Sequence, residues 1–257
     1  MKKFITKIKF DYLLGIVLFI ALWFLISFII DEKTMIFPDP ISTLKETFRI
    51  LKTSYVYKCL IESLIRLLIG FGISFVLALV FGIIAGNSKI LKRVFSPTIS
   101  VLKSIPTASL VFLFLVLVGA RSAPILMVIL ISFPILYEAI SGGIENMDND
   151  VINAMKLDSG SFIRNIIKIQ IPLIIPYVVI GIASSFALSF KIEIMAEILS
   201  GSTRNGLGSA ILGAQKNDPT NMVPIFAYSL IAIILSAVIT LIFKLIKKYV
   251  SKGAVKK

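Results

Sequence analysis

The run from Tyr12 to Ile30 carries no charged residue, and long apolar runs like it recur along the whole chain. This recurrence limits the fold more than any motif does. A helix of about 20 residues crosses roughly 30 Å of hydrocarbon, whereas membrane β-strands are short and alternate apolar with polar positions. The runs are too long and too uniform for strands. The expected fold class is therefore all-α: a polytopic membrane protein with six transmembrane helices at about 12–30, 60–86, 96–118, 123–140, 173–199 and 222–246, forming a single domain over 1–257. The hydrophobic share of 57% agrees, since soluble domains lie nearer 45–50%. The first run is as long as a full span, and Ser27-Phe28-Ile29 offers no small-x-small cleavage site, so it is read as an anchor rather than a removed leader.

Charge orients the spans. The net charge is +13. In a soluble chain this would suggest nucleic acid, but here it reads as topology, because Lys and Arg accumulate in cytoplasmic loops. Most Lys and Arg fall in the N-terminal segment, in 87–95, in 141–172 and in the tail. That places both termini in the cytoplasm of a multi-pass protein of the prokaryotic cell membrane. Asp31–Cys59 and Ser200–Asn221 then lie outside. Within the first of these, Asp39-Pro40 is a helix start, a capping carboxylate followed by proline at the first helical position. Ile41, Leu44, Phe48 and Leu51 mark one face of the amphipathic helix that follows, predicted on the outer surface.

Local signals give helix contacts. Ala78, Gly82 and Gly86 repeat every four residues, as do Gly181, Ser185 and Ser189, so both helices can approach neighbours closely. Pro97 and Pro106 are expected to kink the third span, which requires protein or water to satisfy the freed backbone. The chain has no histidine and one cysteine, Cys59. Disulfide scaffolds, His/Cys metal sites and the Ser-His-Asp and Cys-His forms of catalysis are excluded on that count. There is no Gly-x-x-x-x-Gly-Lys-Ser/Thr loop, so the chain does not cradle ATP phosphates itself. No catalytic residue, metal site or cofactor is assigned to it.

The polar stretch Ser141–Pro172 interrupts the apolar pattern in the second half. Val151, Ile152 and Met155, then Phe162, Ile163, Ile166 and Ile167, recur at helical spacing. Asp158-Ser159-Gly160-Ser161 between them is a turn signal. A helix-turn-helix at the cytoplasmic surface is predicted, either resting on lipid or docking a soluble partner.

This stretch resembles the EAA signature of ABC-transporter importer permeases. Asn153-Ala154-Met155 takes the Glu-Ala-Ala slot, Ser159 the glycine slot with Gly160 one place late, and Ile169-Gln170-Ile171-Pro172 the Ile-x-Leu-Pro ending. The spacing matches without a gap, while Asn153, Met155 and Ser159 depart from the pattern. Phe37-Pro38-Asp39-Pro40, Ser63-Leu64-Ile65-Arg66 through Gly70, Lys103-Ser104-Ile105-Pro106-Thr107, Ala196-Glu197 and Gly206-Leu207-Gly208 are also similar to this family, most of all to its nitrate, sulfonate and taurine subgroup. The resemblance spans about 12–246. It implies a homodimeric pore, ATP-binding cassette ATPase subunits that bind ATP and Mg and dock on the cytoplasmic module, and an extracytoplasmic substrate-binding protein. The implied coupling residues are Asn153, Ala154, Met155, Ser159, Gly160, Ile169, Ile171 and Pro172.

Charges inside spans supply the remaining candidates. Arg66 lies four residues after Glu62 near a span end, where an interfacial ion pair is favoured over contact with a solute. Lys191, Glu193 and Glu197 lie deeper, and charges there face the bundle interior because exposure to lipid is costly. A role for these three in the pore or gate is favoured over an ion pair with another protomer. Pro106 joins them as a gate candidate. Glu138 reads as interfacial. The rival function is a self-sufficient ion-coupled secondary transporter or channel, which would show an inverted repeat and broken mid-membrane helices. The solute itself is not legible: Arg66 and Lys191 suit an anion, while Glu193 and Glu197 do not.

Overall fold

A computed structural model of the chain describes residues 2–30, 37–157, 162–201 and 205–254, and every described regular element is helical. The helices are α1 (Lys2–Ile29), α2 (Pro40–Leu51), α3 (Ser54–Gly86), α4 (Lys89–Ser104), α5 (Thr107–Val118), α6 (Ala123–Glu145), α7 (Asn149–Leu157), α8 (Phe162–Asn165), α9 (Ile171–Ser200), α10 (Leu207–Asn217) and α11 (Val223–Ala254). A π-helical turn, Ile166–Gln170, joins α8 to α9. Four helical segments are long and apolar enough to cross a membrane: Ser54–Gly86, Ala123–Glu145, Ile163–Ser200 and Val223–Ile246. The pair α4 and α5 adds a fifth crossing if it is counted as one, and Leu14–Ile29 within α1 is a shorter apolar helix.

Helix α6 is the centre of the bundle and packs against both α3 and α9. Small residues on both neighbours explain the close fit. A Cβ placed on Gly82 would meet Ile140 at 2.9 Å, and one on Gly86 would meet Ile144 at 2.8 Å. On the other side a Cβ on Gly181 would meet that of Ala139 at 2.5 Å. Ser189 of α9 and Ser132 of α6, both wholly buried, hydrogen-bond at 2.6 Å. Such contacts stabilise helix pairs in lipid, where burial of apolar area no longer discriminates.

Four features depart from the sequence expectation. The third span is not one kinked helix: α4 and α5 meet at 96°. Pro106 lacks an N–H and disfavours helical backbone at the preceding residue, and Ile105 is extended with ψ of 131°. Pro97, by contrast, is accommodated inside α4. The expected loop over 87–95 is largely helical, because Ser88 caps α4 by accepting from the Leu91 amide at 3.3 Å. The fourth span does not stop at Ile140, since α6 continues to Glu145. The Gly- and Ser-rich loop after α9 contains α10, whose start lacks any capping side chain of its own.

Helix α2 begins as its sequence requires. Asp39 accepts from the amides of Ile41 and Ser42 at 2.8 and 2.9 Å. Burial opposes the charged form, but these hydrogen bonds outweigh it and hold the carboxyl below its ordinary 3.8. Its packing is less expected. Thr43, Thr47 and Ile50 are buried as α2 packs on α11, while Ile41, Leu44 and Phe48 remain exposed. The two threonine hydroxyls donate to backbone carbonyls one turn back, so no polar atom is stranded on that face. Helix α1 is tethered close to α2. The Trp23 indole donates to the Pro38 carbonyl at 3.0 Å, Ser27 donates to the Phe37 carbonyl at 3.1 Å, and Trp23 and Phe37 both pack on Phe226.

Candidate functional site

The predicted site residues gather at opposite ends of the bundle. At the end that holds α2 and α10, Arg66 of α3 forms a buried ion pair with Glu197 of α9. The Glu62 carboxylate suggested by helical spacing is a looser partner at 3.6 Å. Arg66 also donates to the Asn205 carbonyl at 2.5 Å. Ser63, one turn before Arg66 and fully buried, donates to the Glu197 carboxylate at 2.9 Å and accepts from the Leu207 amide at 2.9 Å. Glu197 accepts in turn from the Gly208 amide at 2.8 Å. Side chains from two other helices thus supply the cap that α10 lacks, and a carboxylate beside a helix N-terminus is electrostatically favourable. The approach leaves no room for side chains on the loop: a Cβ on Gly206 would lie 2.5 Å from Glu197, and one on Gly208 2.5 Å from the Ile194 carbonyl.

Glu193 lies one turn below Glu197 on the same helix. It is wholly buried, and neither carboxyl oxygen has a hydrogen-bond partner among the described residues. Lys191 behaves oppositely. Its side chain is exposed and lines a groove of about 670 Å³ between α9 and α11. The two residues are two apart, so the helix turns them to different faces. Pro106 sits at the α4–α5 bend. Beside that bend Lys103 and Glu138 form an exposed pair at 2.9 Å, and Lys92 pairs with Glu145, so α4 is laced to α6.

At the opposite end lie the expected coupling residues. Asn153 and Ala154 are exposed on α7, and Met155 is half-buried. Ile169 belongs to the π turn, and Ile171 and Pro172 open α9. Ser159 and Gly160 lie outside the described residues. The second short helix of the predicted module is not separate: α8, the π turn and α9 form one rod over Ile163–Ser200. Asn165 donates to the Met155 carbonyl at 3.3 Å and ties that rod to α7. Gln170 is buried and exchanges two hydrogen bonds with Asn87 at the end of α3, at 2.7 and 3.0 Å. Leu157, Ile163 and Ile167 nevertheless stand well exposed.

Sequence reasoning missed Asn205 and Asn87, and the parts played by Ser63 and Gln170. A serine or an amide near a span end carries no distinctive signal, because its partner lies far away in sequence. Lys244, near the end of the expected sixth span, lines the α9–α11 groove.

A tightly packed core of membrane-length helices, with a polar module continuous with one of them, defines the class: a multi-pass helical membrane protein. Residues 78–256 match the family of binding-protein-dependent transport system inner membrane components, and the chain belongs to that family. It is 25% identical over 158 residues to a probable ABC transporter permease protein of Brucella melitensis biotype 1 and to another of Brucella abortus strain 2308. The match covers 60% of this chain and spans about 63% of the length of the first of these curated relatives. In fold it is similar to chains of the MetNI methionine ABC transporter in inward-facing conformations. One has a TM-score of 0.65 at 18% identity, covering 76% of this chain and 96% of that one; a second has a TM-score of 0.60 at 17% identity, covering 76% and 94%.

Proposed function

We propose that this chain is the permease subunit of an ATP-binding-cassette importer. Two copies form the path of a small solute across the cell membrane, and alternating access is driven by ATPase subunits that bind ATP and Mg. The chain itself performs no covalent chemistry. In this arrangement six spans cross the membrane, both termini are cytoplasmic, and α7 with the α8–π segment is the cytoplasmic coupling module. Helices α2 and α10 then face outward, where a substrate-binding protein delivers the solute. The motif match in 153–172 supports the importer-permease reading, and the other quoted motifs favour the nitrate, sulfonate and taurine subgroup.

One observation carries this proposal beyond family membership. The module exposes Leu157, Ile163 and Ile167 while its two helices are tied to each other through Asn165 and Met155 and its end is hydrogen-bonded to the bundle through Gln170. Exposed apolar side chains on a rigidly held helical segment suit a groove on a soluble partner. A module that only rested on lipid would not need its ends fixed. The test is co-purification from native membranes in mild detergent. A Walker-A ATPase should be retained with the wild-type chain, and its recovery should fall at least about tenfold with Ala154→Arg, as expected when a charge is buried unpaired at an interface. Insertion of the variant should be unchanged. A wild-type chain that purifies without an ATPase, yet moves solute in liposomes under an ion gradient, would put the secondary carrier in its place.

A further inference from the structure

We infer that the cleft between α4 and α6 is a binding site for a phosphate group. It lies at the end of the bundle that carries the polar module, and the permease reading assigns it no part. The cleft encloses about 210 Å³ and is lined by Lys92, Ser96 and Ser100 of α4 and by Tyr137, Glu138 and Ser141 of α6. Tyr137 is the informative residue. It is only 3% exposed, and its hydroxyl has no hydrogen-bond partner among the described residues. Phe95 and Phe133 hold its ring, with centroids 6.5 and 6.1 Å away. A buried hydroxyl without a partner is costly, and a ligand oxygen in the cleft satisfies it.

Charge selects the ligand. Lys92 pairs with Glu145 and Lys103 with Glu138, so the two acids beside the cleft are neutralised within the protein. Lys89, Arg93, Ser96, Ser100 and Lys103 follow one another at three- and four-residue steps and form one stripe along α4. Lys89 and Arg93 take part in no salt bridge among the described residues, so the stripe keeps a positive excess. Hydroxyl donors beside uncompensated cations suit an oxyanion. The volume is smaller than the roughly 300 Å³ at which common small-molecule pockets begin, so one compact group enters and anything attached to it stays outside. The opposite side of α4 carries Ile90, Val94 and Val101, all exposed. Helix α4 also meets α5 at 96°, so the two do not form one straight span. An amphipathic helix of this kind suits the membrane interface, its apolar side toward the acyl chains. Lipid phosphates are concentrated at that level, and soluble phosphate reaches it from the aqueous side.

The test uses the full-length chain, purified in a neutral detergent and washed free of lipid. Thermal unfolding is followed as inorganic phosphate or dioctanoylphosphatidylglycerol is added at constant ionic strength, with dioctanoylglycerol as the lipid that lacks a phosphate. The Kd is read from the saturating rise in Tm. Tyr137→Phe removes a hydroxyl that bonds nothing in the protein. Folding without ligand should therefore be unchanged, while the Kd rises about five- to tenfold, the worth of one hydrogen bond. Arg93→Gln, at an exposed position, should also weaken binding and should flatten its dependence on added salt. Saturation by phosphatidylglycerol but not by inorganic phosphate assigns the site to a lipid headgroup, and saturation by inorganic phosphate assigns it to a soluble phosphate. No saturable shift with either probe would overturn the inference. So would a Kd that Tyr137→Phe and Arg93→Gln both leave unchanged, or equal stabilisation by dioctanoylglycerol.

Discussion

At the scale of single residues, Arg66 decides the most. In sequence its only visible partner was Glu62, four positions away, because helical spacing reveals neighbours on one helix and nothing else. The structure pairs it with Glu197, and the two fix α10 through Ser63 and Gly208. Removing one member of such a pair leaves a buried charge uncompensated. Arg66→Ala should destabilise the chain by about 3–5 kcal/mol, read from thermal unfolding of the helical signal in detergent. Arg66→Leu combined with Glu197→Leu should lose less than the single variant, since no lone charge remains. From the cost of charge at depth the sequence turns Lys191, Glu193 and Glu197 toward protein rather than lipid; Glu193 and Glu197 are buried, whereas Lys191 is exposed. The sequence did not show that a two-residue step along α9 buries Glu193 and leaves Lys191 in a groove.

At the scale of elements, most helices were legible and their joints were not. Apolar length is a property of composition, so the spans of α3, α6, α9 and α11 could be read directly. The joints depend on local geometry. Pro106 breaks what looked like a kinked span because Ile105 turns extended. The module's second helix merges into α9 through a π turn, which has no period that apolar spacing can report. The Asn87–Gln170 amide pair closes this joint. Asn87→Leu leaves the buried Gln170 amide unpaired and should cost about 1–3 kcal/mol. Adding Gln170→Leu should recover part of that loss. A double-mutant cycle in detergent, with about 1 kcal/mol of coupling, would verify that the pair acts as a unit.

At the scale of the whole molecule, the described surface is apolar along α1, α3, α5 and α11, with residues such as Phe19, Leu68, Val116 and Leu241 mostly uncovered. Lipid accounts for much of this surface. A homodimeric pore predicts two chains per detergent micelle, measurable by light scattering with the detergent mass subtracted. A single chain per micelle at working concentration would argue against a homodimeric pore. The small-residue stripes that seat α6 between α3 and α9 were visible in sequence as Ala78, Gly82 and Gly86 and as Gly181, Ser185 and Ser189. Which helix they receive depends on chain path, and only the structure shows that one helix receives both.

The π turn has a mechanical meaning. Its wider backbone loop interrupts the regular hydrogen-bond ladder of the rod from Ile163 to Ser200, so this is where that rod bends most easily. A push on α7, passed through Asn165, would be absorbed as flexing there if the turn were free. Gln170 splints the far edge of the turn to the end of α3. The lever therefore has two arms: a displacement that begins at α7 pulls on α3 as it pulls on α9, and α6, wedged between them, must move with both.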